Sequence, residues 1–311
     1  MNIRATALAV IVAVAGSAAL LAGCGSSTST SSSSTSSAAA AQIPDAKFRQ
    51  DLHDALPAEI KSAGRLRLAA FQFPPYEYYK EDGKTPQGIY VQVADALKKV
   101  LGVDVDLNIE PSIADIATAL GSGRDDASLS SLADLPTTEE SFDFADWLKE
   151  YVAFMVKKGN PKHITGLDAT CGTSIATLQG GPSEQVLKKK TTECVQQGRR
   201  PIDIKTFPDQ NTAVLAVRSG RADAAFSQQV PLGYYVSQDS GFELAGTNQS
   251  NGFPDLYFGA YALKGKPVLN VLLGAFEALR TDGVYDALLK QYGLQANRID
   301  QFGINLSTRN K

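Results

Sequence analysis

Ser122-Gly123-Arg124-Asp125-Asp126-Ala127 returns later in the chain as Ser219-Gly220-Arg221-Ala222-Asp223-Ala224. Each copy follows a stretch with helical spacing, 113–120 and 212–217, and each glycine suits the left-handed residue that ends a helix before a strand begins. Each copy then runs into polar residues at the far end of that strand, Ser130 and Ser131 in the first and Ser227 and Gln228 in the second. In open α/β sheets, ligands sit outside the carboxyl ends of the strands. Two similar lobes facing one another would therefore set these polar ends across one cleft. A single Gly-Arg-x-Asp is only a good helix-to-strand connector; its repetition is what points to two related lobes.

Working outward, a short helix is expected over 57–63, closed by Gly64, followed by the alternating strand pattern Arg65-Leu66-Arg67-Leu68-Ala69. Residues 88–97 carry apolar positions at helical spacing up to Gly102, and Val103-Asp104-Val105-Asp106-Leu107 alternates again. Strand, helix, strand is the grammar of a mostly parallel sheet. Towards the end of the chain, 271–279 reads as an amphipathic helix, Asp282-Gly283 interrupts it, and 285–292 forms another.

The composition removes several function classes. With 311 residues and 43% hydrophobic content, the chain can bury a substantial core without metals or a dense disulfide framework. Its 30 Lys and Arg against 33 Asp and Glu lack the basic excess that nucleic-acid binding requires. His53 and His163 are too far apart in sequence to suggest a metal motif, and no cofactor motif is visible.

Arg4 followed by the apolar run 5–20 reads as a signal peptide, too short and Ala-rich for a membrane span. Leu21-Ala22-Gly23-Cys24 resembles the lipobox of bacterial lipoproteins. The expectation is a signal peptide over 1–23, lipidation of Cys24, and a Ser/Thr/Ala-rich tether over 24–43 with nothing to bury. The expected location is the bacterial cell envelope, outside the cytoplasmic membrane.

Phe73-Pro74-Pro75-Tyr76, the stretch 123–144, Gly220-Arg221-Ala222-Asp223, Leu279-Arg280-Thr281-Asp282-Gly283-Val284-Tyr285 and Lys290-Gln291-Tyr292-Gly293 occur in this order behind the lipobox. Taken together they resemble the bacterial extracellular solute-binding proteins of family 3, the receptors of polar amino-acid ABC transporters, over nearly all of 66–294. The resemblance implies a two-lobed α/β fold of the type II periplasmic-binding class. Each lobe is then a mostly parallel sheet flanked by helices, and two crossing strands near 151–154 and 257–261 form the hinge. Lobe 1 would comprise 44–153 and 258–311, and lobe 2 would comprise 154–257. It also implies a small-molecule solute enclosed between the lobes, and an ABC permease with its ATPase as partners.

Carried over position by position, the resemblance places Phe73 as the aromatic platform for the ligand or a core residue. Tyr76 and Tyr78 line the cleft or close its floor, and Ser130 and Ser131 are hydroxyl ligands or turn caps. The arginine that grips an α-carboxylate in relatives is replaced by Thr138, and the aspartate that holds the α-ammonium by Gln228. Losing one charge alone would strand its partner, whereas losing both suits a ligand without an α-amino-acid head. The expectation is a neutral or differently charged small solute held by Gln228, Ser130, Ser131 and Thr138 through neutral hydrogen bonds and stacked on Phe73. The expected ligand set is Phe73, Tyr76, Ser130, Ser131, Thr138, Gly181, Ser183 and Gln228, with Asp134 as a further carboxylate that would allow a cationic ligand. Competing structural readings exist. Asp134 also reads as a solvated turn residue, Thr137 to Glu140 as a capping box, and Gly180-Gly181-Pro182-Ser183 as a tight turn ahead of a helix.

Cys171 and Cys194 are read as a disulfide of the second lobe, against the alternative of two buried thiols. Two other functions fit the same fold: a lipoprotein that senses solute for a membrane signalling partner, and a dehydratase-like enzyme. Neither histidine falls at a cleft position and Ser130 has no visible base, so no catalytic residue is assigned.

Overall fold

The two copies of the repeated hexapeptide fold alike. Gly123 and Gly220 take φ of 71° and 76°, the left-handed conformation that only glycine adopts without strain. The aspartate that follows each of them clamps a parallel strand of its own sheet. Asp126 accepts the Arg67 N–H through its carboxylate at 2.9 Å and donates its own N–H to the Arg67 carbonyl at 2.9 Å. Asp223 does the same to Ser174, at 2.9 and 2.7 Å. The echo is thus a structural joint between connector and strand, made twice. Asp223→Ala removes one acceptor and leaves the Ser174 N–H without its partner, a loss of about 1–3 kcal/mol. Chemical denaturation of the variant checks it.

The computed structural model describes residues 43–309, so the signal-peptide, lipidation and tether expectations, Cys24 included, lie outside the described residues. One six-stranded sheet contains β1 (Arg65–Phe71), β4 (Asp104–Glu110), β5 (Ala127–Asp134), β6 (Phe142–Glu150), β12 (Leu256–Leu263) and β13 (Arg298–Ile304), in the order β13-β6-β12-β5-β1-β4. A five-stranded sheet contains β7 (Val152–Lys157), β8 (Ser174–Leu178), β9 (Asp203–Phe207), β10 (Ala224–Gln228) and β11 (Phe242–Ala245), in the order β11-β7-β10-β8-β9. A small hairpin, β2 (Tyr78–Tyr79) with β3 (Pro86–Gln87), projects from the first lobe.

Each sheet has a parallel heart, β4-β1-β5 and β10-β8-β9, but its other pairings are antiparallel. The sheets are therefore mixed, more so than strand-helix-strand grammar alone implies, because the chain returns through β12 and β13 against β6. Passage between the sheets falls between Glu150 and Val152 and again between Ala245 and Leu256.

Helices α1 (Gln50–Ala55), α2 (Ala58–Ala63), α3 (Ile89–Leu101), α4 (Ile113–Ser122), α8 (Val268–Thr281), α9 (Val284–Gln291) and α10 (Leu306–Arg309) accompany the first sheet. Helices α5 (Pro182–Gln196), α6 (Gln210–Arg218) and α7 (Gln229–Ser237) accompany the second. Apolar periodicity explains the first group's packing: α3 buries Val93, Leu97 and Val100 on one face, and α8 buries Leu272, Ala275, Phe276 and Leu279. Trp147 of β6 fills the space between them, stacked on Phe276 with ring centroids 5.4 Å apart and edge-on to Tyr285.

Cys171 and Cys194 are bonded, joining the turn before β8 to the last turns of α5. Closing this loop is worth roughly 3 kcal/mol in the chain-entropy account. Reduction of the native protein, followed by thermal unfolding, is expected to lower Tm while leaving the first lobe's fold intact.

Candidate functional site

The turn Phe73-Pro74-Pro75-Tyr76 is bound to the start of α3. The amides of Ile89 and Tyr90 donate to the carbonyls of Pro75 and Tyr76, at 3.2 and 2.9 Å. This satisfies two of the helix's free N–H groups and brings the aromatic turn and Tyr90 to one place. Gly88, at φ 125°, permits the approach, since a Cβ there would lie 2.2 Å from the Tyr76 carbonyl oxygen. The rings of Phe73 and Tyr76 are nearly parallel with centroids 6.5 Å apart, and Tyr76 stacks on Tyr90 at 5.0 Å.

Glu77 follows directly. It is fully buried, and neither carboxylate oxygen has a hydrogen-bond partner. Burial pushes its carboxyl well above the usual carboxylate range, and the nearby Phe71 backbone amide offsets only part of that. The Tyr90 phenol lies close to Glu77 and faces the Ser131 hydroxyl, yet neither of these two oxygens has a partner in hydrogen-bonding geometry. Buried polar groups are normally paired, so orphans gathered at one place call for an explanation.

The second lobe supplies the other wall. Gln228, at the end of β10, donates through Nε2 to the Ser131 carbonyl across the cleft at 3.0 Å, and its Oε1 is buried without a partner. Tyr78 of the hairpin meets Tyr234 of α7 edge-on, with centroids 5.4 Å apart. The lobes are thus closed on one another. Ser131 and Gln228 meet there, Tyr90 and Glu77 lie behind Ser131 in the first lobe, and all four carry unsatisfied polar groups.

Residues 67–295 match the profile of bacterial extracellular solute-binding proteins, family 3. The chain belongs to this family. Among curated relatives of this family 3 protein, the arginine-binding protein ArgT of Corynebacterium glutamicum is 24% identical over 262 residues, covering 82% of this chain and 83% of ArgT. The L-cystine-binding protein TcyJ of Escherichia coli K12 is 26% identical over 238 residues, 75% of this chain and 84% of TcyJ. Among solved structures, an ancestral arginine-binding protein bound to arginine superposes with a TM-score of 0.64 at 29% identity, covering 74% of this chain and 98% of that one. An ancestral amino-acid-binding protein described as a precursor of cyclohexadienyl dehydratase gives 0.63 at 26%, covering 75% and 97%.

Within this family 3 protein, the expected ligand residues divide into two groups. Ser131 and Gln228 meet at the lobe junction, while Phe73 and Tyr76 stack on one another and on Tyr90 within the first lobe. Ser130 is next in sequence, but its hydroxyl points away into a buried chain with Ser128 and Tyr261, both at 2.9 Å. Thr138 is turned back on its own loop: its hydroxyl accepts from the Leu135 N–H at 2.9 Å and lies 2.8 Å from the Ala133 carbonyl. No helix follows it, so the Thr137–Glu140 capping box does not form; Thr138 itself closes the turn.

Gly181 is the N-cap of α5, with Pro182 and Ser183 in the first turn. The Gly180 amide there is already taken by the Glu184 carboxylate at 2.6 Å. Asp134 is no solvated turn residue. It is fully buried beside Asp146, receives the Ser307 N–H at 2.9 Å, and faces the C-terminal helix. Glu77 and Tyr90 were not expected at the site. Glu77 looks like one more charge between tyrosines, and only its position beneath the aromatic turn gives it away.

A polar groove of about 440 Å³ also opens on the second lobe between Leu167, Val186 and Gln249. Its buried lysine, Lys190, is held by Asp168 and Glu193. It offers no orphaned group comparable to those of the cleft.

Proposed function

We propose that this chain is the lipid-anchored, extracytoplasmic substrate-binding subunit of an ABC importer, which captures a small polar solute by closing its two lobes and does no chemistry on it. Family membership and the arginine-, cystine- and amino-acid-binding relatives support that role. The burial of Glu77, Ser131 and the Gln228 Oε1 supports capture by closure, because a solute reaches them only when the lobes part. Closure is then favoured to the extent that the solute binds the closed arrangement more tightly.

The observation that carries the ligand class is Glu77: a fully buried carboxylate without a partner. The other free groups are the Gln228 Oε1 of the second lobe and the Ser131 hydroxyl of the first, both able to accept hydrogen bonds. The site therefore asks for a donor-rich cation. Thr138 stands where the resemblance expects an arginine, and no Lys or Arg side chain hydrogen-bonds any of these four residues among the described residues. An α-carboxylate would enter without a counter-charge. The reading is a solute bearing amine or guanidinium groups and no α-carboxylate, held by Glu77 at one end and by Gln228 and Ser131 at the other, against Phe73 and Tyr76.

A thermal-shift screen over amines, guanidines, sugars and the standard amino acids tests this, since binding to the folded state raises stability as RT ln(1 + [L]/Kd). Cationic compounds without a carboxylate should raise Tm. A response confined to sugars or to standard amino acids would overturn the assignment.

A further inference from the structure

We propose that Glu150 is the positioning residue of lobe closure: its carboxylate ties the aromatic floor of the cleft to the hinge, so that Tyr76 and the first crossing move as one body. The proposal rests on capture by closure but not on any particular solute.

Glu150 is the last residue of β6, immediately before the chain crosses to the second lobe at Tyr151. It is 3% exposed, and its two oxygens collect donors from separate parts of the fold. Oε2 accepts the Tyr76 hydroxyl at 2.5 Å. Oε1 accepts the Tyr151 backbone N–H at 2.8 Å and the Asn297 Nδ2 at 3.2 Å. The crossing is gripped from its other side as well, because the Tyr151 carbonyl accepts the Gln229 N–H at 2.8 Å.

A buried carboxylate is an expensive way to fill space, and apolar packing of equal volume is often as stable or more so. What an apolar side chain cannot do is hold three directional donors in one geometry. The three here come from the cleft turn, the hinge and the C-terminal segment. Parting the lobes withdraws α7 and with it the Gln229 N–H that holds the Tyr151 carbonyl, while leaving Tyr76 and Asn297 in place. The Tyr151 peptide, held by Glu150 on one side and Gln229 on the other, is therefore better fixed in the closed arrangement. The Tyr76 ring lies between Phe73 and Tyr90, so its hydroxyl transmits the position of the hinge to the surface that meets the ligand. Glu150 touches no ligand-facing group except through Tyr76.

The test measures lobe separation without ligand. Spin labels at Lys84→Cys and Gln238→Cys, both exposed and on opposite lobes, report the distance distribution across the cleft rim in the full chain. Glu150→Gln and Tyr76→Phe should each at least double the population at long distances, and the double variant should do no more than the stronger single one, because the two groups act as a unit. A purely structural role would lower Tm in the variants yet leave the distribution where it was. Wild-type distributions in the folded single variants would overturn the proposal. Tyr76→Phe, which deletes one hydroxyl, decides the matter alone if Glu150→Gln does not fold. Failure of the importer reading shows separately, as a wild-type distribution that no solute shifts.

Discussion

Glu77→Gln is expected to abolish binding of a cationic solute while leaving the ligand-free protein folded. Removing one partner of a buried ion pair costs about 3–5 kcal/mol, which is a loss of two to three orders of magnitude or more in affinity. The variant breaks no side-chain pairing, since neither oxygen of Glu77 has a partner in hydrogen-bonding geometry and the nearby donor is the Phe71 backbone amide. It also removes a group whose ionisation is opposed by burial. Binding should carry a proton signature as well. The free protein holds Glu77 protonated above the usual carboxylate range, and a cation demands the carboxylate, so the wild type releases a proton on binding and its affinity rises with pH. Titration calorimetry in buffers of different ionisation enthalpy reads that proton, and Glu77→Gln should remove it. Undiminished affinity in the variant would take Glu77 out of the site.

The ligand-free protein is expected to be more stable near pH 5 than near pH 8, the reverse of the usual carboxylate trend. Burial raises Glu150 to about 7, against hydrogen bonds from Tyr76, Tyr151 and Asn297 that lower it only in part. Burial likewise raises Asp134 to about 7, and Asp146 beside it and Glu77 are raised as well. A carboxyl with a raised folded pKa binds its proton more tightly in the folded state. Its contribution is therefore complete below the unfolded value and is lost as pH climbs through the folded one. The window runs from about pH 4 to a little above pH 7. Glu150 alone accounts for about 3 kcal/mol, and with Asp134 the fall in Tm between pH 5 and pH 8 should reach about 10 °C. A bound cation should flatten the part of this slope that belongs to Glu77. Thermal unfolding across the range, with and without solute, measures both, and a Tm that rises from pH 5 to pH 8 would contradict the account.

The parts of the fold that show in the sequence are those dictated by local chemistry. Gly64, Gly102, Gly123 and Gly220 all end helices or connectors in the left-handed conformation that their positions suggest. The repeated Gly-Arg-x-Asp announces two lobes because the same aspartate-to-strand clamp is needed twice. The cysteines pair as read. What stays hidden depends on which residues meet across long sequence distances. Asp134 resembles a turn residue until Asp146, which takes the Leu306 amide, and the Ser307 amide, which donates to Asp134 itself, enclose it. The C-terminal strand β13 that leads to those amides has no strand periodicity: Ile299 and Phe302 are buried three residues apart, the spacing of a helix. Thr138 occupies a ligand position by alignment but spends its hydroxyl on its own turn. Glu77 is the sharpest case. Nothing local separates it from a solvated glutamate, and its meaning comes only from the fold that buries it.

The central claim is a cleft for a cation without an α-carboxylate. Agmatine and L-arginine share a guanidinium and a four-atom spacing of charge and differ in that carboxylate, so calorimetric titration of the ligand-free protein with each isolates it. The account predicts that agmatine binds at least 100-fold more tightly than L-arginine, a difference of about 3 kcal/mol. Micromolar binding of L-arginine, equal to or tighter than that of agmatine, would contradict it.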